Sequence, residues 1–402
     1  MELTDVTGLT LTKLKEEMTS ELEAIISWWV INMPDKINGG FYGNIDNNNI
    51  PDTNAPKGIV LNSRILWTFS AASTFSKNNH CKEIASRAYQ YICNHFLDNE
   101  FGGVYWSVDG MGKPHEDKKQ IYGIAFFLYG LSEYYEKWRD ENVLQLAIRC
   151  FRWIESYSFD KKNGGYFEAF TRDWQKISDL RLSAKDINES KTMNTHLHIL
   201  EAYTNLYKIW NDELLKDRII HLLELFDKYF IDKNSFHLHL FFDDQWELRS
   251  SLQSYGHDIE AAWLLRQCAL VIGNKKLIQQ FGEYAVRIAD AAAEGLDIDG
   301  GLWYEYEKSD DHLIKEKHWW PQAEALIGFL DVYHLTKNKL YLHKAFNSWR
   351  FIEKHLRDNL NGEWYWGITE DYNIIGKEKA GFWKCPYHNS RACIEVITRN
   401  FN

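Results

Sequence analysis

Pairs of polar and aromatic residues stand near the starts of several apolar segments, at spacings that suit catalysis on a helix. Three such pairs are Asn194 with His198, His257 with Glu260, and Trp320 with Glu324. Spacings of three and four residues place both members of a pair on one helix face. Because histidine titrates near neutral pH, several histidines aimed at one centre predict acid–base catalysis.

The other apolar segments begin with comparable residues. These are Arg64 in LNSRILWTF, Tyr122 in KQIYGIAFF and His388 in KCPYHNSRACIEV. Arg64 and the partial positive charge of helix N-termini would favour a reaction in which negative charge develops. Taken singly, each histidine could be structural and each charged residue could be an ion-pair partner, so their shared position carries the prediction.

A repeated turn motif divides the chain into six units and predicts the elements that position these residues. Similar segments open at six aspartates spaced 61 to 72 residues apart: Asp35, Asp98, Asp160, Asp232, Asp297 and Asp358. Five copies contain glycine, which supplies the positive φ angles of tight turns. The copy at Asp232 has no glycine, and an alternating aromatic run after each turn predicts a short strand.

Apolar residues at three- and four-residue spacing predict two helices in each unit. The segments that carry the candidate residues are 61–77, 118–138, 192–209, 252–272, 317–335 and 385–400. Their partners are 10–33, 81–96, 141–157, 213–231, 276–293 and 338–356. We therefore predict an all-α (α/α)6 barrel, a toroid of six helical hairpins with short β-hairpins at one mouth, as a single catalytic domain over residues 1–402. An open α-solenoid is the alternative.

Composition limits the classes of function. Apolar residues make up 45% and charged residues 26% of the chain, the balance of a soluble globular protein. The net charge of −11 argues against a nucleic-acid partner, which needs surplus Lys and Arg. The 15% of aromatic residues suits a cleft in which rings lie against sugars.

Sequence signals for location and cofactors predict a cytoplasmic protein without a cofactor. No apolar stretch is long enough to cross a membrane. The polar start MELTDVTGLT shows no signal peptide, and six cysteines lie far apart, as in a cytoplasmic protein with reduced thiols. Of the histidine pairs, only His237 with His239 could chelate a metal, on a strand, and no HExxH or cysteine cluster accompanies it. Neither a dinucleotide fingerprint nor a phosphate loop is present, so we expect no metal and no nucleotide cofactor.

Five strings in order carry a family resemblance: NSRILWTFS, MNTHLHILEAYT, YGHDIEAAWLL, WWPQAEAL and WKCPYHNSRACIE. With them the chain resembles the N-acylglucosamine 2-epimerase superfamily along essentially its whole length, and within it the branch that acts on cellobiose. The resemblance implies an (α/α)6 barrel. It also implies reversible C2 epimerisation of the reducing-end glucose of β-1,4-linked disaccharides through a ring-opened enediol. An oligosaccharide substrate, no cofactor and a monomeric enzyme are expected.

The resemblance also implies roles for individual residues. His257 and His388 match the two acid–base histidines, and His198 matches the histidine that assists at the carbonyl end. Arg64 and Asn194 match ligands of the sugar oxygens. Other lining positions are matched by Tyr122, Glu260, Trp263, Trp320, Glu324 and Trp383, and a loop residue that touches the outer sugar is matched by Asp186.

Three alternatives stay open. A mannose or other aldose–ketose isomerase of the same superfamily would use the same enediol. An inverting glycoside hydrolase would need a carboxylate pair about 6.5–9.5 Å apart, for which Glu260 and Glu324 are candidates. A carbohydrate-binding module would keep the aromatic residues but has no need of three convergent histidines.

Overall fold

Twelve α-helices make up most of the described chain, residues 9–400 of a computed structural model. In chain order they are α1 Leu11–Asn32, α2 Ile59–Ala72, α3 Cys81–Tyr91, α4 Ile121–Trp138, α5 Glu141–Trp153, α6 Met193–Ile209, α7 Glu213–Leu225, α8 Tyr255–Ile272, α9 Lys275–Ala292, α10 Trp319–Thr336, α11 Lys339–Phe351 and α12 Tyr387–Thr398. Short helical turns extend five outer helices: Ile92–Phe96, Ile154–Ser158, Phe226–Phe230, Ala293–Gly295 and Ile352–Leu356. The prediction that no signal peptide is present rests largely on residues 1–8, which lie outside the described residues.

The even-numbered helices form a closed inner ring. Each packs on the next, from α2 through α4, α6, α8 and α10 to α12, and α12 packs back on α2. Each odd-numbered helix lies outside an inner one, with α1 against α12. Contact between the first and last units closes the ring, so the (α/α)6 barrel is confirmed and the open solenoid is wrong.

Burial explains which helices lie inside. Every residue of α2 is buried, because neighbours surround it on all sides. Outer helix α5 instead buries one stripe, with Val143, Leu146, Ala147 and Cys150 at helical spacing. A helix that is apolar all round belongs in the interior, whereas a striped helix covers it.

Within residues 9–400, fifteen short strands form six antiparallel sheets. The strands are β1 Asn44–Ile45, β2 Pro51–Asp52, β3 Lys57–Gly58, β4 Ser107–Val108, β5 Pro114–Glu116, β6 Lys119–Gln120, β7 Ala169–Phe170, β8 Lys191–Thr192, β9 Phe241–Phe242, β10 Leu252–Ser254, β11 Glu305–Glu307, β12 His312–Ile314, β13 Lys317–His318, β14 Gly367–Ile368 and β15 Ala380–Gly381. The sheets are β15–β1–β2, β3–β4–β5, β6–β7, β8–β9, β10–β11–β12 and β13–β14. Each contains the strand that leads into one inner helix, so all six surround one mouth of the barrel.

The repeated aspartates anchor these turns through partners that the sequence analysis missed. In the first unit Gly39 and Gly40 have φ of 78° and 61°, as the turn motif predicts. The Asp35 carboxylate also accepts a hydrogen bond from buried Lys57 Nζ at 2.8 Å. Equivalent ion pairs join Asp98 to Lys119, Asp160 to Lys191, Asp297 to Lys317 and Asp358 to Lys379.

The unit at Asp232 differs from the other five. Its aspartate accepts from Ser235 Oγ at 2.7 Å, and Gln253 takes the place of the lysine two residues before α8. This copy has therefore lost the lysine together with the glycines.

The strand predicted directly after each turn begins later than expected. In the second unit Val104 forms only a single bridge with Leu97, and regular pairing starts at Ser107. The first residues after the turn pair back across it, so only the later ones reach the neighbouring unit.

Two further features concern helix hydropathy and thiols. Among residues 9–400, helices with the length and apolar character needed to cross a membrane are not found. The six cysteines are all free, and five of them are buried.

Candidate active site

A cavity of about 470 Å³ lies where the N-terminal ends of the inner helices converge. All six inner helices contribute to its lining: Arg64 from α2, Tyr122 from α4, His198 from α6, His257 from α8, Trp320 from α10 and His388 from α12. These residues stand within the first two turns of their helices. Their common position in the sequence therefore becomes a common centre in the fold.

Ten of the twelve residues expected at the site line this cavity: Arg64, Tyr122, Asp186, Asn194, His198, His257, Glu260, Trp320, Trp383 and His388. Trp263 and Glu324 were expected to line it too, and the structure places them one layer behind. Trp263 Nε1 donates to Glu324 Oε2 at 3.0 Å, and His388 Nδ1 contacts Glu324 Oε1 at 2.7 Å. His388 thus lies between the Glu324 carboxylate and the cavity.

The environment of His388 favours a neutral imidazole that presents Nε2 to the cavity. Because Nδ1 faces the Glu324 carboxylate, it carries the hydrogen and leaves Nε2 with a lone pair. Burial, together with the nearby cations Arg64 and Arg391, lowers the pKa of His388 well below its usual value. The ring also contacts Trp320, with centroids 5.6 Å apart.

The other two histidines have different partners. His198 Nδ1 contacts the Glu201 carboxylate at 2.9 Å, whereas His257 Nδ1 contacts the Ser254 hydroxyl at 2.8 Å. Burial, with smaller contributions from His198 and Lys185, lowers the pKa of His257 to about 3. A carboxylate therefore backs His198 and His388, while only a neutral hydroxyl backs His257.

Among the described residues, the Arg64 guanidinium has Tyr122 and Cys385 as hydrogen-bond partners and no carboxylate. Its Nη2 donates to Tyr122 Oη at 2.8 Å, and its guanidinium lies 4.1 Å from the Phe126 ring centroid. Arg64 Nε and the Asn194 side-chain oxygen are buried and have no hydrogen-bond partner within residues 9–400. Both polar groups thus have bonding capacity left for a ligand.

Buried charged residues form a layer below the cavity. Two of them, the carboxylate Glu201 and the cation Arg391, were not expected from the sequence. Arg391 Nη1 donates to Glu201 Oε1, and Arg391 Nη2 donates to Glu260 Oε1 and Glu324 Oε1, each at 2.6 Å. Burial, reinforced by the charge of Glu324, raises the pKa of Glu260 to about 7. Glu201 stands three residues after His198, and Arg391 three after His388, so helix spacing could have revealed both.

This layer bears on the expectation that the protein binds no metal. Donor atoms of Glu260, Glu324 and His388 lie within 4.8 Å of one another, a group that could hold a cation. Arg391 already supplies a positive charge to both carboxylates. At the other candidate pair, His237 lies between Asp258 at 2.7 Å and Glu294 at 3.3 Å, so both of its ring nitrogens have partners.

The same distances exclude Glu260 and Glu324 as an inverting glycosidase pair. Their oxygens lie within 4.8 Å and share one Arg391 nitrogen. An inverting pair is about 6.5–9.5 Å apart with the sugar between the carboxylates. The hydrolase hypothesis for these residues is therefore wrong.

The outer part of the cavity is formed by loops and strands. Asp186 accepts from the Ser183 amide and hydroxyl at 2.8 and 2.9 Å, and Lys185 Nζ donates to Tyr304 Oη at 2.5 Å. Lining residues that sequence reasoning missed are Glu168, Lys185, Tyr304, Glu305, His318, Trp366 and Lys377. They lie outside the inner helices, so helical periodicity gave no signal for them.

Comparison with known proteins assigns the chain to a family. The family model described as N-acylglucosamine 2-epimerase matches residues 40–392. The chain belongs to the N-acylglucosamine 2-epimerase family of enzymes. Every site residue expected from the sequence lies within the matched span.

Cellobiose 2-epimerases of two bacteria and one solved structure match this chain over nearly their full length. A cellobiose 2-epimerase of Bacteroides fragilis is 47% identical over 96% of this chain and 98% of its own. One of Dictyoglomus turgidum is 39% identical over 96% and 98%. The solved structure of cellobiose 2-epimerase from Bacillus thermoamylovorans superposes with a TM-score of 0.91, at 38% identity over 96% of this chain and 99% of that one.

Proposed function

We propose that this enzyme catalyses the reversible epimerisation at C2 of the reducing-end glucose of β-1,4-linked disaccharides. Cellobiose would give glucosyl-mannose, and lactose would react in the same way. The observation that carries the proposal is a cavity lined by three histidines and by Arg64, whose guanidinium has no carboxylate partner among the described residues. The names of the relatives, cellobiose 2-epimerases across almost the whole chain, support the substrate.

The chemistry requires two groups that exchange protons with C2. Once the sugar ring opens, the hydrogen on C2 is acidic because the carbanion is delocalised into the carbonyl as an enediolate. His257 and His388, on α8 and α12, would act from opposite faces of C2. The neutral imidazole of one accepts the C2 proton. The other, protonated from solvent as the enediolate forms, returns a proton to the opposite face, and the first imidazolium then releases its proton to solvent. The sugar keeps its number of protons and its configuration at C2 inverts.

Low histidine pKa values suit the proton-accepting step. Burial lowers the pKa of both His257 and His388, so at neutral pH each is neutral and has a free lone pair when the site holds no negative charge. The enediolate brings negative charge into the cavity and favours the imidazolium that must donate. A positioned general base contributes about 10²–10⁴-fold to such a step.

Arg64 and Asn194 would hold the oxygens at C1 and C2. The Arg64 guanidinium supplies positive charge where the enediolate develops, in a buried site where such charge is effective. His198, backed by Glu201, would assist at the carbonyl end. Tyr122 and Glu260 would complete the polar lining.

The aromatic lining suits a sugar chain. The Trp320 ring lies 4.7 Å from His257 and 5.6 Å from His388, centroid to centroid, and would cover an apolar sugar face beside both. Trp383 lies 6.0 Å from Tyr122 and would do the same on its side. Asp186, in the outer loop, would bind the second sugar.

We further propose that the ring acts as one catalytic domain and as a monomer. It would need no metal, nucleotide, nucleic acid or membrane for activity. The six free cysteines support a reducing compartment such as the cytoplasm. Full activity after EDTA treatment and a monomer in size-exclusion chromatography are the expected results.

Proton NMR of cellobiose incubated in D2O with the EDTA-treated protein tests the reaction. We expect glucosyl-mannose with deuterium at C2 of the reducing sugar. A ketose product would identify an aldose–ketose isomerase instead, and free glucose would identify a hydrolase. Either product in place of the epimer would contradict the proposal.

Substitution of the histidines tests the mechanism. His257→Ala and His388→Ala should each abolish epimerisation and preserve the helical circular dichroism spectrum. His115→Ala, an exposed residue of β5, is the matched control and should keep wild-type turnover. Near-wild-type turnover in either cavity variant would contradict the two-histidine mechanism.

A further inference from the structure

Arg391 connects three buried carboxylates at the base of the cavity. It lies on α12, three residues after His388, and is only 1% exposed. Its guanidinium donates at 2.6 Å to each of Glu201, Glu260 and Glu324. Because these carboxylates come from α6, α8 and α10, one side chain links four neighbouring helices of the inner ring.

Two of these carboxylates contact the cavity histidines directly. Glu324 Oε1 lies 2.7 Å from His388 Nδ1, and Glu201 Oε2 lies 2.9 Å from His198 Nδ1. Arg391 does not itself line the cavity. It therefore stands one contact behind two histidines and out of reach of the substrate.

The charge of Arg391 favours the ionised forms of the three carboxylates. Like charges in a buried site raise one another's pKa, so three neighbouring carboxylates without a cation would take up protons. Protonation would remove the negative charge that holds each histidine Nδ1–H. Arginine offers a planar fork of donors in fixed directions, whereas the lysine ammonium is a point charge.

We infer that Arg391 is a positioning residue for the proposed epimerisation. It holds Glu201 and Glu324 ionised and in place, and through them it keeps the Nδ1–H tautomers of His198 and His388, with Nε2 free to exchange protons. The inference rests on the proposed function and deepens it.

Arg391→Lys tests this role, because the variant keeps the charge and loses the three-way bridge. We expect kcat to fall by up to about 100-fold, the loss that misplacement of a catalytic group can cause. KM should stay within about threefold, since Arg391 does not reach the cavity.

The pH profile separates positioning from a merely structural role. The lysine ammonium cannot donate to all three carboxylates at once, so hydrogen bonds that favour their ionised forms are lost and the pKa values of Glu201 and Glu324 rise. As pH falls, the carboxylates then take up protons at a higher pH than in the wild type. The acid limb of kcat/KM should therefore move up by about one pH unit or more. Titratable groups that face Arg391 are Tyr129 on α4, Glu201 on α6, Glu260 on α8, Glu324 on α10, and Tyr387 and His388 on α12.

Arg399→Lys is the matched control. Arg399 pairs with Asp331 and Glu395. Its guanidinium lies 5.4 Å from the Trp263 ring centroid, and the Arg391 guanidinium lies 4.9 Å from the same centroid. No bond joins it to the carboxylates below the cavity. This variant should keep the wild-type kcat and acid limb.

Wild-type protein labelled with ¹⁵N-histidine gives a test that needs no variant. We expect His198 and His388 to hold the Nδ1–H tautomer across the active pH range. The Nε2–H tautomer at both histidines would overturn the inference, even if Arg391→Lys fails to fold.

The two proposals fail in different ways. Wild-type protein without C2 epimerisation would reject the proposed function. Active wild type with a folded Arg391→Lys variant that keeps the wild-type acid limb would overturn the positioning role, whatever its kcat.

Discussion

Replacement of Glu324 by glutamine would remove the charge behind His388 while it preserves the shape of the side chain. The carboxylate contacts His388 Nδ1 at 2.7 Å, accepts from Trp263 Nε1 at 3.0 Å and from Arg391 Nη2 at 2.6 Å. Because Glu324 lies behind His388, the change should affect proton transfer and leave sugar binding intact.

The size of the effect follows from the charges involved. An ionised pair about 4 Å apart between charge centres interacts by about 4 kcal/mol at the effective dielectric constant of a protein. Arg391 contacts the same Glu324 oxygen and offsets part of this interaction. If about half of it remains, Glu324 stabilises the His388 imidazolium by about 2 kcal/mol, and Glu324→Gln loses that stabilisation. This predicts a loss of about 30-fold in kcat, with KM unchanged within about threefold.

Steady-state epimerisation of cellobiose measures both constants. Trp263→Phe is the control, because it removes one hydrogen bond to Glu324 and keeps the charge. The variant loses one hydrogen bond to the carboxylate but leaves the negative charge behind His388, so its loss in kcat should be clearly smaller than that of Glu324→Gln. A tenfold rise in the KM of Glu324→Gln with unchanged kcat would show that Glu324 contacts the sugar and would refute the reasoning.

Two further predictions concern the turns around the mouth. Burial alone would raise the pKa of Asp160, but hydrogen bonds from Lys191 and backbone amides lower it. The ion pair therefore stabilises the fold at pH values above the pKa of Asp160 in the unfolded chain. This stabilisation is lost as pH falls through the lower pKa of the folded state. Asp160→Asn leaves the buried Lys191 ammonium with backbone carbonyls but no carboxylate. It should lower the free energy of unfolding by about 3–5 kcal/mol at pH 7, with a smaller difference from wild type below about pH 4 in denaturant titrations; a pH-independent difference would contradict this. Gly165→Ala puts a Cβ 2.5 Å from the Trp246 ring at φ of 79°, whereas Gly273→Ala at φ of 73° meets no atom within 4 Å. Both should lose about 1 kcal/mol from strain, and thermal unfolding should show a clearly larger loss for Gly165→Ala; equal losses would contradict the steric argument.

Local patterns were sufficient to predict the fold. The even spacing of the aspartates gave the number of units, and apolar periodicity gave the two helices of each. The same comparison of units could have revealed the lysines, since Lys57, Lys119, Lys191 and Lys317 each stand two residues before an inner helix. The turn glycines mark where each unit begins but give no signal for the residue that precedes the inner helix.

Residue type and phase along the inner helices also predicted which side chains reach the cavity. The contact between Arg391 and three carboxylates was beyond such reasoning, because those residues lie 67 to 190 positions away in the chain. The packing of separate units likewise decides that Glu324 lies behind His388. It also decides that the loop residues Lys185 and Tyr304 line the outer cavity. Periodicity determines which face of a helix turns inward, whereas closure of the ring determines which inward groups meet and which are covered.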